Sequence, residues 1–218
     1  MIVVHHLENS RSQRVLWLLE ELGLAYEVRR YARDPKTLRA PKALQAVHPL
    51  GKAPVIADDG AVVAETGAIV EHLTTRAGGA LVPAAGTLER SRYTHWLHHA
   101  EGSAMPPLVL KLVFSRLAPG SPWPLRPLVA GIARTVQDRF VDPELTRNAA
   151  YWEAELAARP WFCGADFTAA DVMMSFPVEA FAARGTGAGP RLRDWLARIH
   201  ARPGYGRALA RGGPYAYA

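Results

Sequence analysis

The sequence predicts a chain with an α/β domain at residues 1–80 and an all-α domain at residues 87–218. Short runs of β-branched residues alternate with helically spaced apolar residues in the first part, and turn formers occupy residues 83–86. After residue 86, the apolar residues show only helical spacing. With 218 residues, 49% of them hydrophobic, the chain can bury one large core or two smaller ones.

The first three elements are predicted to be a strand, a helix and a second strand. β-Branched residues in Ile2–Leu7 indicate a buried strand, which the polar residues 9–12 interrupt. Helical spacing then predicts a helix ending at Gly23, and alternation predicts a second strand at Tyr26–Tyr31. The apolar helix face comprises Val15, Leu16, Leu18, Leu19 and Leu22. This order predicts a right-handed parallel βαβ unit.

The remainder of the first domain is predicted to be a loop, a hairpin and a helix. Residues 35–47 are weakly helical, and a segment dense in turn formers follows them. Apolar runs at residues 55–57 and 61–64 predict a β-hairpin. The next helix begins at residues 65–67 and ends at the glycines 78–79. Its predicted buried positions are Ala68, Ile69, Val70 and Leu73. The element order is that of a thioredoxin-like domain.

The second domain shows helical spacing throughout. The predicted helical segments are residues 87–117, 125–140, 143–158, 169–184 and 191–201. Residues 119–127 and 185–190 are predicted to be inter-helix loops. Thr168 and Asp171 form a Thr-x-x-Asp pattern, which predicts an N-terminal capping box with a structural role.

Composition narrows the function classes. The net charge of +6 comes from scattered arginines with interleaved acids, so neither a nucleic-acid footprint nor a basic arm is indicated. Cys163 is the sole cysteine, which excludes an intrachain disulfide, a Cys-x-x-Cys pair and a thiolate zinc site. The chain begins with a short, quickly polar run and has no apolar run of membrane-spanning length. We therefore expect a cytoplasmic protein with neither nucleic-acid nor membrane partners.

The first half combines a thioredoxin-like unit with a Gly-Lys-Ala-Pro turn at residues 51–54 and Glu65-Thr66 at a helix start, and the second half is all helical. This combination resembles the cytosolic glutathione transferase family over essentially the whole chain. Residues 9–12 (Asn-Ser-Arg-Ser), 101–103 and 174–177 resemble a branch shared by bacteria and fungi. The resemblance implies a homodimer that uses glutathione as co-substrate for detoxification of small electrophiles.

Ser10 occupies the position that the resemblance makes catalytic, at the junction of the first strand and helix. Its hydroxyl would stabilise the glutathione thiolate, with Ser12 as the alternative hydroxyl and Arg11 as an electrostatic aid. The competing interpretation is a helix N-cap, because Ser10 to Gln13 fit the Ser-x-x-Gln capping box.

The resemblance implies further glutathione contacts. Pro54, after Ala53, is expected to be cis and to turn the Val55 backbone toward the cysteinyl backbone of glutathione, as a proline entering an edge strand; an ordinary loop proline is the alternative. Glu65 and Thr66 would bind the γ-glutamyl group, or merely cap the helix. The other implied contacts are Lys52 for the glycyl carboxylate, assisted by His48 or Gln45, and Glu101, which would reach glutathione in the partner chain of the dimer.

Several other residues have competing interpretations. His95, His98 and His99 have a spacing that suits a metal, but we expect no metal site because no carboxylate or cysteine motif accompanies them. Met105, followed by two prolines, and Trp123 either shape the substrate cleft or belong to the helical core. Cys163 lies in an apolar segment and is predicted to be a buried small hydrophobe.

The predicted function is transfer of glutathione to electrophilic carbon, or reduction of organic hydroperoxides. A non-catalytic ligand-binding or interaction protein of the same fold is the main alternative. A thiol-disulfide oxidoreductase is disfavoured because no cysteine lies near residue 10.

Overall fold

The computed structural model describes residues 1–35, 37, 39–184 and 187–217. Its sheet has four strands in the order β2-β1-β3-β4, which are β1 (Ile2–Leu7), β2 (Tyr26–Tyr31), β3 (Val55–Asp58) and β4 (Ala61–Ala64). The first two strands pair in parallel from Ile2 with Tyr26 onward, as predicted. The hairpin strand β3 lies antiparallel between β1 and β4. The expectation that Pro54 enters an edge strand is therefore wrong, because β3 is an interior strand.

Helix α1 (Ser12–Leu22) connects β1 to β2, and α2 (Thr66–Arg76) follows β4. The predicted apolar face of α1 is buried except for the half-buried Leu22, and the helix ends at Gly23, which adopts a left-handed φ of 64°. On α2 the predicted face is also buried, except for Ala68, which is exposed. Gln13 and Ser10 form no capping box, because α1 begins at Ser12 and the Gln13 side-chain amide has no hydrogen-bond partner within the described structure.

Within the described residues, the regular elements of the second half are all helical. Its helices are α3 (Leu88–His99), α4 (Met105–Leu117), α5 (Arg126–Val136), α6 (Asp142–Ala158), α7 (Ala169–Ala183), α8 (Pro190–His200) and α9 (Pro203–Gly212). The predicted segment 87–117 is divided by a π-helical turn at Ala100–Ala104, and a second π-helical turn at Gln137–Val141 separates α5 from α6. Short 3₁₀ turns occupy Lys42–Ala46 and Trp123–Leu125.

Helix α9 was not predicted from the sequence. Pro203, Gly204 and Gly206 at its start resemble a turn, but Tyr205 and Ala208 are three residues apart and buried. The helix packs along α1 and also contacts β2, so the end of the helical half rests on the sheet half of the chain. Of the predicted loop 185–190, residues 185 and 186 lie outside the described residues.

The central helix α7 is buried along nearly its whole length, which places it at the middle of the core. Its start carries the predicted capping box: Thr168 accepts from the backbone of Ala170, and Asp171 accepts from the backbone N–H of Thr168 at 3.0 Å. Burial raises the pKa of Asp171 to about 6, although hydrogen bonds oppose this rise. Cys163 is buried as predicted, and burial raises the pKa of its thiol to about 12. No helix in the described ranges is long and apolar enough to cross a membrane.

Candidate active site

Two adjoining cavities open where β1 ends, beside α4, α7 and the start of α2. The larger has a volume of about 580 Å³, and the smaller lies next to it. Both are lined by Arg11, Leu50, Lys52 and Ala53. Ser10 and Gln45 also line the larger cavity, whereas the smaller is also lined by His48, Pro54, Ala64, Glu65 and Thr66. The fold thus brings most of the predicted site residues together around one cleft.

Ser10 and Ser12 form a hydrogen-bonded pair, but only Ser10 lines the larger cavity. Their hydroxyl oxygens are 2.7 Å apart, and the Ser10 hydroxyl also accepts from the backbone N–H of Ser12 at 3.2 Å. Ser10 is 6% exposed and Ser12 is fully buried. The geometry therefore favours Ser10 as the hydroxyl that meets a ligand, with Ser12 behind it.

A buried histidine continues this hydrogen-bonded chain. His6 Nδ1 lies 2.9 Å from the Ser12 hydroxyl. Burial, with a smaller effect of the Arg30 charge, lowers the pKa of His6 to about 4, so its ring is neutral at pH 7. A hydrogen bond from the ring to the backbone of Gly212 uses its single N–H, which leaves Nδ1 to accept from Ser12. The Ser12 proton is thereby directed to His6, so Ser10 is the donor in its bond with Ser12, and the Ser10 hydroxyl can turn toward a ligand in the cavity.

Glu101 links Arg11 and Arg14, at the start of α1, to the helical half of the same chain. Its carboxylate oxygens lie 2.5 Å from Arg11 Nη1 and 2.5 Å from Arg14 Nη2. Burial alone would raise the pKa of Glu101, but the charges of Arg14 and Arg11 and their hydrogen bonds outweigh it and hold the pKa below its ordinary value. The Arg14 side chain is 1% exposed and also donates to the carbonyl of Met173. Both carboxylate oxygens are thus engaged in the same chain, and contact with a partner chain's ligand stays a prediction.

The peptide bond between Ala53 and Pro54 is cis, as predicted. Val55, however, lines neither cavity and is 1% exposed. It pairs with His5 on one side and with Ala64 on the other, so both edges of the strand are covered at this position. This pairing disfavours Val55 as a backbone contact for a ligand, whereas Ala53 lines both cavities.

The N-terminus of α2 forms one wall of the smaller cavity. Glu65 precedes the helix with a positive φ of 69°, an unusual conformation for a residue with a side chain. Thr66 is the first helical residue and is buried. Because the first N–H groups of a helix lack partners within the helix, this wall suits a carboxylate. Lys52 and His48 line the same cavity, and the positive charge of Lys52 adds to its preference for anions.

Sequence reasoning missed several residues that line the larger cavity. They are Leu7, Asn9, Arg33, Arg39, Ala40, Val109, Leu112, Phe176, Arg184 and Tyr217. Met105 lines it, as one interpretation predicted, but Trp123 does not and is 80% exposed. The tail after α9 enters the site because the Ala216 N–H donates to Asn9 Oδ1 at 2.8 Å and Tyr217 contacts the Phe176 ring. No local pattern in the sequence indicates such a return of the chain end.

His95 and His99 of α3 belong to an aromatic cluster, whereas His98 is exposed. The His95 and His99 rings are stacked with centroids 5.5 Å apart, and His99 Nε2 accepts from the Trp152 indole at 2.9 Å. Burial, with a smaller effect of His95, lowers the pKa of His99 to about 4. Within the described ranges, no group of three or more His, Cys, Asp or Glu side chains is placed to hold a metal ion.

The fold and the site define a class of protein in which a thioredoxin-like sheet and a helical bundle share one cleft beside a buried serine pair. The family model of the glutathione S-transferase N-terminal domain matches residues 10–76, and that of the C-terminal domain matches residues 138–198. The chain is 38% identical over 181 residues to glutathione S-transferase 3 of Schizosaccharomyces pombe, covering 83% of this chain and 74% of the relative. The chain therefore belongs to the glutathione S-transferase family.

Solved structures agree with this assignment. A glutathione S-transferase from Actinobacillus pleuropneumoniae is 30% identical with a TM-score of 0.79, and the alignment covers 99% of this chain and 94% of that one. A glutathione transferase family member from Pseudomonas fluorescens, solved with two glutathione bound, is 25% identical with a TM-score of 0.76. That alignment covers 95% of this chain and 92% of the other.

Proposed function

We propose that this protein is a glutathione transferase in which the Ser10 hydroxyl stabilises the thiolate of bound glutathione. The observation that carries this proposal is the hydrogen-bonded chain from His6 through Ser12 to Ser10, because Ser10 lines the cavity and its hydroxyl can turn from Ser12 to a ligand. The alternative of a non-catalytic ligand-binding protein is not favoured, because the similar proteins are named as transferases.

The chemistry requires a lower thiol pKa. A free thiol has a pKa of about 8.5 and is only a few per cent ionised at pH 7. A hydrogen bond to a charged acceptor contributes about 1.5–3 kcal/mol, and a nearby helix N-terminus adds about 0.3–1 kcal/mol. Turning the Ser10 hydroxyl away from Ser12 costs about 1 kcal/mol of this gain. The remainder lowers the thiol pKa by about 1–2 units, at about 1.36 kcal/mol per unit, so that no general base is required.

We propose that glutathione lies across both cavities. Its γ-glutamyl carboxylate binds the first N–H groups of α2 and the Thr66 hydroxyl, while Glu65 holds the ammonium group. Lys52 binds the glycyl carboxylate, with His48 or Gln45 beside it, since these side chains line the cleft. The Ala53 backbone meets the cysteinyl unit. The sulfur then lies at Ser10, at the entrance to the larger cavity.

The same thiolate can carry out two reactions. With an aryl chloride, sulfur forms a bond to carbon, and chloride leaves with the bonding electron pair. With an organic hydroperoxide, sulfur attacks the terminal oxygen, and the O–O bond breaks with its electron pair on the departing alkoxide. Glutathione sulfenic acid forms, and the alkoxide takes a proton from solvent to give the alcohol. A second glutathione then reduces the sulfenic acid to give glutathione disulfide and water.

The test is capture on immobilised glutathione, followed by assays with chlorodinitrobenzene and cumene hydroperoxide on the same preparation. We expect conjugation above the uncatalysed rate, and Ser10→Ala should lower turnover more than it weakens glutathione binding. Tight glutathione binding without turnover of any electrophile would instead support the non-catalytic alternative.

Four further assignments belong to this proposal. The first is a division into a thioredoxin-like domain at residues 1–80 and a helical domain at 87–218, which the two family matches support. The second is membership of the bacterial and fungal branch, supported by residues 9–12 and by the yeast relative. The third is a role in detoxification within the cytoplasm, consistent with one buried, unpaired cysteine.

The fourth assignment is a homodimer with α3 at its interface. The exposed residues Tyr151 and His95 extend an aromatic cluster on α3 and α6 to the protein surface, which gives that face apolar area for a second subunit. In a dimer, Glu101 at the end of α3 would lie near the glutathione of the partner. Light scattering during size-exclusion chromatography should give twice the monomer mass.

A further inference from the structure

Among the residues that the structure describes, the charged side chains that line the larger cavity are all basic. Its described lining contains five basic residues, which are Arg11, Arg33, Arg39, Lys52 and Arg184, and no aspartate or glutamate. Arg11 is paired with Glu101, and our proposal assigns Lys52 to glutathione itself. Arg33 and Arg39 lie in the loop after β2. Arg184 is thus the one of these five that comes from the helical half of the chain.

Arg184 follows the last residue of α7 and is held against α4. Its Nη1 donates to the backbone carbonyl of Leu108 at 2.5 Å. This bond uses one of the five N–H donors of the guanidinium, and within the described ranges no carboxylate is within ion-pair distance of Arg184. A neutral carbonyl fixes the position of the group without cancelling its charge.

The surface next to Arg184 is apolar. Met105, Val109 and Leu112 come from the same face of α4, and Phe176 and Tyr217 come from α7 and the tail; all five line the cavity. A ligand that fits this space needs an apolar body for these side chains and an anionic group for the guanidinium. Arginine binds a carboxylate with two parallel N–H donors, which makes a carboxylate the best match.

We propose that the preferred electrophiles are apolar molecules bearing a carboxylate, which Arg184 binds while the Ser10-stabilised thiolate attacks the electrophilic carbon. This inference rests on the proposed transferase function and adds the substrate class. The carboxylate takes no part in bond making: sulfur bonds to carbon, the leaving group departs with its electron pair, and the thiol proton has already passed to solvent. Arg184 acts by positioning the substrate.

The test compares chlorodinitrobenzoate with its methyl ester. For each substrate, kcat/KM is divided by the rate constant of the uncatalysed reaction with glutathione, which removes the difference in intrinsic reactivity. We expect the wild type to favour the acid by about ten-fold or more, and the preference to fall with rising salt. Arg184→Gln should abolish the preference mainly through KM for the acid, and Arg184→Lys should restore part of it.

Arg116→Gln is the matched control, because Arg116 is an exposed arginine of α4 that does not line the cavity. It removes the same charge and should leave the acid-to-ester ratio unchanged. Equal normalised rates for acid and ester in the wild type, or an equal loss of preference in Arg184→Gln and Arg116→Gln, would overturn the proposal.

Binding of the two glutathione conjugates, measured by calorimetry, separates this inference from the proposed function. The conjugate with a free carboxylate should bind the wild type more tightly than its ester, and this difference should vanish in Arg184→Gln. A difference without turnover of either electrophile would refute the transferase function while supporting the carboxylate site. Turnover of both electrophiles, with equal affinities for the two conjugates, would support the transferase function and refute the carboxylate site.

Discussion

Replacing Ser10 by alanine removes a hydroxyl that lines the larger cavity and whose proton is not directed to His6. Its hydrogen bond to a thiolate is worth about 1.5–3 kcal/mol, from which about 1 kcal/mol is subtracted for the lost Ser10 to Ser12 bond. The net loss of about 0.5–2 kcal/mol corresponds to a rise of about 1 unit in the pKa of the bound glutathione thiol. We expect kcat/KM below that pKa to fall about ten-fold.

The assay follows the ultraviolet absorbance of the thiolate while the glutathione complex is titrated with base. Ser175→Ala is the control, because Ser175 is also buried but donates to the Val172 carbonyl within α7. The wild-type complex and Ser175→Ala should share a lowered thiol pKa, and only Ser10→Ala should raise it. If the thiol in the wild-type complex titrates near its value in water, a serine donor does not activate it and the reasoning fails.

Three more predictions concern stability, measured by urea unfolding. Glu101→Gln leaves the buried Arg14 without its counter-ion and should lower the free energy of unfolding by about 2–3 kcal/mol. Glu144→Gln breaks an exposed ion pair and should cost well under 1 kcal/mol. Equal losses in the two variants would contradict this prediction. The pKa of His6 is lowered to about 4, so its contribution to the free energy of unfolding is complete above pH 6.5 and is lost as the pH falls through 4. Between pH 7 and 4, the free energy of unfolding of His6→Asn should therefore fall by about 3 kcal/mol less than that of the wild type. Parallel plots of the free energy of unfolding against pH for the two proteins would refute this prediction. Thr168→Ala removes the cap of α7 and should cost about 1–2 kcal/mol, with a smaller loss for Thr87→Ala at the exposed cap of α3.

The element order was predictable because each early element has its own periodicity. Alternation in Tyr26–Tyr31 and helical spacing in α1 depend on local sequence alone, and the structure confirms both. The position of β3 between β1 and β4 was not predictable, since strand order depends on contacts between segments some fifty residues apart. Helix α9 was hidden because its first turn contains glycines and a proline that favour turns.

The candidate site was only partly predictable for a related reason. Ser10, Lys52, Thr66 and their neighbours lie in short motifs, and the fold brings them together at one cleft. The substrate wall draws Phe176, Arg184 and Tyr217 from segments that contain no motif for it, so only the packing of α4, α7 and the tail reveals these residues. Likewise, the ion pairs of Glu101 join positions 87 and 90 residues apart.

The π-helical turn at Ala100–Ala104 carries Glu101 and accommodates one more residue than an α-helical turn would. Each residue advances an α-helix by about 100°, so deleting one residue here would rotate α3 against α4 by roughly that angle. The Glu101 carboxylate would then leave both arginines while the two helices kept their lengths. A single-residue gap in this turn in a natural relative should therefore coincide with a changed residue at the position of Arg14.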